Sequence, residues 1–439
     1  MAQWSQQMAE WVVAQPRTLE EIEQKTLAVL REGGQAFLTG LLGLCTPAYP
    51  EDAIPCSCGQ TAYYQRKRPA TVLTLLGTVT LNRPYYLCPS CHHGTVPLDQ
   101  KLGICAGGLS GGLANALALA GVQLPFEEAA QLVSRLTGVS VCPNTVREAT
   151  EGLGRVVVEK EREAVEAAWN LATPHLPPLP EEVPQRLYVS MDGTVVRTWE
   201  EGWKEMKIGA FYTTTAPPPS QRSDAWEVRA QGVSFYADFA HPEAFGRALW
   251  LEGYRRGVTQ AREVVAIGDG AHWIWNLVEE HFPGAIQVVD WYHASQYIWE
   301  VAHAAWGEGG QEAQVWAEKR LDELWEGQVE TVIGHCQEQA AVAGEAAHQA
   351  VTDYTHNRER MRYPEYREKG IQIGSGTVES GCRHVIGCRL KEAGMSWSVE
   401  GARAVAHLRA RLKSGRWEET MAQRPPPSRT YTRHSAHPA

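Results

Sequence analysis

Leu187-Tyr-Val-Ser-Met-Asp192-Gly193-Thr194 is the stretch whose reading decides the fold. Its first five residues are apolar enough for a buried strand, and Asp192-Gly193 is a turn dipeptide that ends it. A second stretch of the same form lies downstream: Glu263-Val-Val-Ala-Ile-Gly, a predicted strand ending at Asp269-Gly270. Between the two, Met206–Thr213 and Gln231–Phe239 read as strands, and about 241–256 as a helix. After Asp269 come another helix and a short strand, Ile286-Gln-Val-Val, ending at Asp290.

The resulting β-β-β-α-β-α-β order is that of ribonuclease H, a mixed α/β sheet flanked by helices. We therefore expect a ribonuclease-H-like core over 187–415, with an all-helical insertion at about 291–361 that is rich in Ala, Glu, Gln and Trp. Working outward, residues 1–44 read as helical, with Leu19, Ile22, Thr26, Leu27 and Leu30 at helical spacing before Gly33-Gly34. A Cys-bearing lobe at 45–105 holds a hairpin, Ala70–Leu76 and Val79–Leu87 about Gly77. Residues 106–172 are helical. Within them, 126–154 has a helix–turn–helix pattern: a helix from Phe126 stopped by Gly138, then one capped by Asn144, with a third at about 155–170. Pro174, Pro177, Pro178, Pro180 and Pro184 mark a linker at 173–186, and the basic, Pro-rich tail 416–439 is expected to be disordered after Arg424.

Composition narrows the class. A chain of 439 residues, 44% of them apolar, can bury the cores of two or three domains. No apolar run reaches the roughly 18 residues of a membrane span, and the N-terminus lacks a basic segment followed by an apolar one. A cytoplasmic protein without a membrane partner is expected. The net charge of −10 excludes a wholly basic DNA coat. It hides two basic segments, however: five Lys/Arg against one acid at 60–101, and eleven against four at 383–439. Where positive charge sits matters more for DNA than its sum.

Three segments place a carboxylate at a strand end or tight glycine turn: Met191-Asp192-Gly193-Thr194, Gly268-Asp269-Gly270-Ala271 and Gly374-Ser-Gly-Thr-Val-Glu379-Ser-Gly-Cys382. Chemistry in open α/β sheets collects at strand ends. Cleaving a phosphodiester calls for an activated nucleophile and a stabilised leaving oxygen, which two Mg²⁺ ions about 3.5–4 Å apart supply when Asp and Glu oxygens hold them. A lone Asp-Gly is usually plain turn chemistry. Two of them, after the first and fourth strands of one fold, call for more.

Tyr188-Val-Ser-Met-Asp-Gly-Thr, Ile267-Gly-Asp-Gly-Ala-His-Trp-Ile-Trp, Val289-Asp-Trp-Tyr-His-Ala and Ile373-Gly-Ser-Gly-Thr-Val-Glu-Ser-Gly-Cys resemble the ISKra family of bacterial insertion-sequence transposases, within the Mutator-like DDE group. The likeness runs from the Cys lobe to about residue 415. It implies a DDE transposase that binds the inverted repeats of its element and catalyses Mg²⁺- (or Mn²⁺-) dependent cleavage and strand transfer, as a homo-oligomer on DNA. It further implies Asp192, Asp269 and Glu379 as the catalytic, metal-holding carboxylates, with the 110 positions from Asp269 to Glu379 matching the helical insertion of that group. Asp290-Trp-Tyr-His293 resembles an auxiliary motif, and Asp290 is the alternative second catalytic Asp. Other readings are a ribonuclease-H-like nuclease that cuts without joining, and an idle DNA-binding protein derived from a transposase. A zinc hydrolase built on His272 or His293 lacks the paired-histidine spacing.

Cys56-Ser-Cys58 and Cys88-Pro-Ser-Cys91 bracket the hairpin, and four thiolates in two close pairs suit a structural, tetrahedral Zn²⁺. The first pair is one residue short of the usual knuckle, so Cys45, His92 or His93 is an alternative ligand. The resemblance supports zinc, since that family has a similar Cys pattern. Arg66, Lys67, Arg68 and Arg83 of this lobe are placed to meet DNA phosphate. A helix–turn–helix would direct Asn144, Thr145 and Arg147 into the major groove. Arg383, Arg389 and Lys391, on the helix after Glu379, would hold the DNA backbone, whereas Cys105, Cys142, Cys336, Cys382 and Cys388 read as incidental thiols. Trp299, Trp306, Trp316 and Trp325 in the insertion read as core rather than base-stacking platforms.

Overall fold

The apolar run at 187–191 does form a central strand, but Asp192-Gly193 does not end it. In the computed structural model, which describes residues 2–46, 50–214 and 230–422, β-structure continues without a break to Thr198. The reason lies in the neighbouring strand, Gly202–Thr214, which pairs with it antiparallel from Tyr188↔Tyr212 to Thr198↔Gly202. Gly193 serves this pairing: a Cβ there would lie 2.5 Å from Glu205 Oε1.

The described residues form two units, one running to Leu153 and the other Gly154–Thr420. In the first, helices α1 (Ala2–Val13) and α2 (Leu19–Cys45) precede a four-stranded antiparallel sheet, β1 (Ala53–Pro55), β2 (Thr61–Thr74), β3 (Gly77–Leu87) and β4 (Gly94–Thr95). The predicted hairpin is β2–β3, and Gly77 turns it with φ +107°. Helix α2 runs through Gly33-Gly34 to Cys45, close to the expected limit of 44. It passes through because Gly34 lies against Leu76, and Gln35 Nε2 donates to the Thr78 carbonyl. Val72, Val79, Leu81, Val96, Leu98 and Ile104 fill the core under the sheet. After α3 (Pro97–Lys101), helices α4 (Gly111–Gly121), α5 (Phe126–Thr137) and α6 (Pro143–Ala168) bury Leu113, Leu117, Ala129, Val133 and Val146 together.

Gly138, at φ +68°, ends α5 as expected. Asn144 is not the cap of the next helix. The helix already begins at Pro143, and the Cys142 carbonyl accepts from Thr145 N–H. Nor does Gly154 divide the helix from the one predicted at 155–170. A Cβ at Gly154 would meet the Ala404 carbonyl oxygen at 2.5 Å, so its role is close packing, and the helix runs on.

The second unit is a five-stranded sheet: β5 (Arg186–Thr198), β6 (Gly202–Thr214), β7 (Ala230–Asp238), β8 (Glu263–Gly268) and β9 (Ile286–Val289). The order is β7-β6-β5-β8-β9, antiparallel from β7 to β5 and parallel from β5 to β9. Helices α7 (Pro242–Arg255) and α8 (His272–His281) connect β7 to β8 and β8 to β9. The expected β-β-β-α-β-α-β succession is thus the observed one. From α9 (Trp291–Trp306) through α10 (Gln311–Trp325), α11 (Val329–Glu338), α12 (Ala340–Ala343) and α13 (Glu345–Asn357), the described chain is helical, and it contributes Ile298, Leu321, Leu324, Ala347 and Tyr354 to the main core. Its tryptophans are core-side residues: Trp325 is edge-on to Trp291 at 5.1 Å, and Trp306 packs with Trp316 at 5.6 Å. After α14 (Tyr363–Glu368), the chain returns to the sheet as a helical run, α15 (Gly376–Gly381), a π-turn over Cys382–Gly387, and α16 (Cys388–Leu390). The tail expected to be disordered lies beyond Ala422, outside the described residues.

The last long helix, α17 (Val399–Lys413), is tied to β7 by charge. Asp238 accepts from Arg403 Nε at 2.7 Å and sits 3.3 Å from His407 Nε2. Burial opposes ionisation, but His407 and Arg403 outweigh it and bring the carboxyl down to about 2. The stability this supplies is complete above the unfolded value near 4 and is lost as pH falls through 2. Asp238→Asn is expected to cost on the order of 2 kcal/mol at pH 7 and to flatten the acid limb below pH 4. Urea unfolding at stepped pH checks this; equal acid limbs in both proteins would refute it.

Candidate active site and metal centre

Backbone register brings Asp192, inside β5, level with the acids that follow β8 and β9. Ser190 pairs with Ile267 across the parallel β5–β8 ladder, so Asp192 and Asp269, each two residues further on, lie level on neighbouring strands. Gly268 pairs with Val289, which sets Asp290 beside Asp269. Glu379 arrives from α15, which is seated on the sheet by Gly381; a Cβ there would touch Phe235 and Ile208.

Each carboxylate has its own environment. Asp192 is half-buried; its Oδ1 accepts from Gly193 N–H at 2.6 Å and its Oδ2 from the Cys382 thiol at 3.0 Å. Burial pushes its carboxyl up, and the negative charge of Asp269 adds to the shift. Glu379 is pushed up in the same way by burial and then by Asp290, with Asp192 contributing, while Ser375 Oγ donates to its Oε1 at 3.1 Å. Asp269 accepts from Ala271 N–H at 3.0 Å and lines a cavity. His293 exerts a countervailing attraction on Asp192, Asp290 and Glu379 alike.

Asp290 is differently employed. It is 2% exposed; Oδ1 caps α9 by accepting from His293 N–H at 2.7 Å, and Oδ2 accepts from Ser375 N–H. Both oxygens therefore go to backbone donors, and Ser375 in turn holds Glu379. That geometry gives Asp290 a positioning place and leaves Asp269 as the strand-end acid with free coordination capacity.

Two residues of the helical insertion join the site without having been legible in the sequence. Asp353 of α13 is pushed up by burial and also feels Asp269 and His293. Asn357, 2% exposed, donates to Asp353 Oδ1 at 3.2 Å and to the Gly270 carbonyl at 3.4 Å. An Asp and an Asn four apart on a helix are unremarkable in sequence; only the tertiary fold sets them over the Asp269 turn. The cavity between them, about 680 Å³, is lined by Asp269, His272, His293, Tyr297, Asp353 and His356 among others; Asp192 and Glu379 lie off its lining. Gly270 has φ +95°, and a Cβ on it would sit 3.0 Å from Asn357 Nδ2. Gly270→Ala is expected to destabilise the protein by about 2 kcal/mol, read as a lowered urea midpoint. An unchanged midpoint would show that the turn is not so constrained.

Cys382, read as incidental, is instead the hydrogen-bond donor to Asp192, and burial pushes its thiol well up. Other expectations also need correcting. Arg389, expected on the DNA backbone, is 1% exposed and stacks on the Trp397 ring at 4.7 Å, so it cannot meet a phosphate. Arg83 is likewise buried, in an ion pair with Asp99. Arg66 and Lys67 are exposed on β2, and Arg68 lies over the Tyr85 ring at 4.5 Å. Asn144 and Arg147 are exposed and bonded to each other at 2.6 Å, beside a half-buried Thr145. Arg383 is exposed, and Lys391 Nζ donates to Thr194 Oγ1 at 2.8 Å, two residues from Asp192.

In the other unit, Cys56, Cys58, Cys88 and Cys91 converge, with all four sulfurs within 4.8 Å of one another. Cys56–Cys91 and Cys58–Cys88 are 3.6 and 3.7 Å apart. A tetrahedron with metal–sulfur bonds of about 2.3 Å has edges of about 3.8 Å, so the cluster could bind a metal such as zinc. The short first pair is accommodated because each loop ends in a left-handed residue, Gly59 at φ +83° and His92 at φ +55°. Backbone N–H groups of Cys91 and Ser90 hold the Cys88 thiol down at about 6. Neither Cys45 nor the two adjacent histidines belongs to the cluster.

Among the described residues this is the one set of three or more such ligands drawn so close; the carboxylates stand further apart. No helix of the described residues is long and apolar enough to cross a membrane. No curated protein matches the chain. The sequence profile of an uncharacterised protein family (UPF0236) matches residues 248–423, a span that includes Asp269, Asp290, His293, Asp353 and Glu379.

Proposed function

We propose that the chain is a DNA transposase of the DDE type, with a ribonuclease-H-like core that cleaves and joins phosphodiesters. One observation carries the reading: Asp192 and Asp269 stand level on adjacent parallel strands, the first and fourth of a sheet ordered 3-2-1-4-5, with Glu379 electrostatically coupled to Asp192. The resemblance of the four quoted motifs to ISKra transposases supports it, as does the ribonuclease H order of the strands.

The donor set fits hard divalent cations such as Mg²⁺: carboxylate oxygens, partly desolvated and mutually repelling. Asp192, Asp269 and Glu379 would hold the cations, which when bound neutralise phosphate charge and activate water. The Cys382 thiol fixes the orientation of Asp192, Ser375 that of Glu379, and Asn357 the turn carrying Asp269. Lys391 and Arg383 supply positive charge to the DNA backbone, Arg66, Lys67 and Arg68 do so from the Cys lobe, and α5–α6 act as a helix–turn–helix reading the element's ends through Asn144, Thr145 and Arg147. Cys56, Cys58, Cys88 and Cys91 would hold a structural Zn²⁺.

The test is a cleavage and strand-transfer assay with the inverted repeats that flank the coding sequence. Mg²⁺-dependent nicking followed by joining to target DNA is expected. Cutting without joining points to a nuclease, and binding without cutting to an idle derivative.

A further inference from the structure

We infer that α2 is a dimerisation helix, whose exposed apolar seam pairs with the same helix of a second copy of this chain. This inference is independent of the proposed chemistry. Thr18 and Glu21 form a reciprocal capping box at the start of α2, and the helix then runs for 27 residues, about 40 Å. None of those residues is buried.

The apolar residues are not scattered. Leu27, Leu30, Phe37, Leu41 and Leu44 are exposed by 43, 61, 69, 43 and 83%. With Gly34 in the gap, their spacing alternates three and four along the helix, placing Leu30, Phe37 and Leu44 at one heptad position and Leu27 and Leu41 at the other. A surface helix packed on its own domain shows a broader stripe of period 3.6; a strict period of 3.5 is the seam of a two-stranded coiled coil. The intramolecular contacts of α2 lie mainly on an adjacent face, where Leu38 and Leu42 pack against the hairpin core, Gln35 bonds Thr78 and Arg31 bonds the Leu136 carbonyl. Gly34, at the edge of the seam, lies against Leu76, and the five exposed side chains are left over.

Two further observations favour a partner helix. Gly33, Gly34, Gly40 and Gly43 make α2 intrinsically weak, since glycine is the poorest helix former short of proline. Such a helix persists through tertiary or quaternary packing rather than by propensity. The five side chains expose about 500 Å² per chain, so a symmetric pair would cover about 1,000 Å², the threshold for a stable association. Between Leu27 and Leu44 the seam carries no charge; Glu20 and Glu23 hold the same two heptad positions nearer the N-terminus and would repel in a parallel pair, so the two copies meet antiparallel over 27–44. A two-fold pair is also the commonest assembly for identical chains.

Sedimentation velocity on the full-length protein without DNA tests this. A dimer is expected at micromolar concentration. The double substitution Leu30→Glu/Phe37→Glu is expected to raise the dissociation constant at least about a hundredfold, with hydrogen-exchange protection of the second unit's sheet unchanged. Glu32→Lys, on the opposite side of α2, should leave the dimer intact. Because the seam is exposed, an Ala pair at Leu30 and Phe37 gives a second, gentler variant with intermediate weakening. A monomeric wild-type chain overturns the inference, as does a dimer that survives both double variants.

Discussion

Asp192→Asn, Asp269→Asn and Glu379→Gln should each reduce Mg²⁺-dependent DNA cleavage by about a thousandfold or more, equivalent to about 4 kcal/mol of transition-state stabilisation. An amide keeps the shape of the side chain and removes the charge that a cation needs. The same changes should not harm the fold. The carboxyls of Asp192 and Glu379 are pushed up by burial, so at neutral pH the folded protein holds them ionised at a cost. With a raised folded value, the favourable contribution is present below the unfolded value near 4 and disappears as pH rises through the folded one. The metal-free protein should therefore gain stability on mild acidification, and Asp192→Asn should melt no lower than wild type at pH 8. Mg²⁺ should raise the melting temperature of wild type at pH 8, less at pH 5 where protons compete, and not at all in the Asn variant. Asp290→Asn makes the contrast. Both of its oxygens accept backbone N–H bonds, so the change should lower stability as well as activity. A variant at Asp192 or Asp269 that cleaves within tenfold of wild type would sink the assignment.

The second large effect belongs to the Cys lobe. Chelation, or Cys88→Ser, should unfold the Cys-bearing end of the β1–β4 sheet, because a structural zinc contributes on the order of 10 kcal/mol to a small domain. The local core there is slight: Cys56, Ala62, Tyr86 and Cys88, with Ile54 and Tyr64 packed against them. Without metal, the thiols of a four-Cys cluster also repel one another as they ionise. The far end of the hairpin has its own core, centred on Val72, Val79 and Leu81, and should persist. Hydrogen exchange should then show protection lost around 53–64 and 85–95 and retained around 70–81. Uniform protection after complete chelation, or a purified chain free of zinc, would rule out a structural metal. Loss of the lobe should abolish binding to the element's ends while leaving the sheet of the second unit folded.

What the chain order by itself determined is the set of elements governed by local pattern. Glu263–Gly268 and Ile286–Val289 are strands within the limits read from the sequence, because short runs rich in β-branched residues, Val264–Ile267 and Ile286 with Val288-Val289, have few other uses. The Cys pairs were legible because metal ligation needs close thiols, and the helices of 291–357 because a run rich in Ala, Glu and Gln favours helix locally. Only the tertiary structure decided which residues face each other. Asp192-Gly193 reads as a turn and is strand, because β6 pairs across it. Arg389 and Arg83 read as DNA contacts and are buried, one on Trp397 and the other on Asp99. Asp353, Asn357 and Cys382 carry no signal of their own; α13 brings the first two to the Asp269 turn, and the π-turn after α15 brings Cys382 to Asp192. A side chain's environment is made by partners about 85 to 190 positions away, and no local pattern encodes that distance.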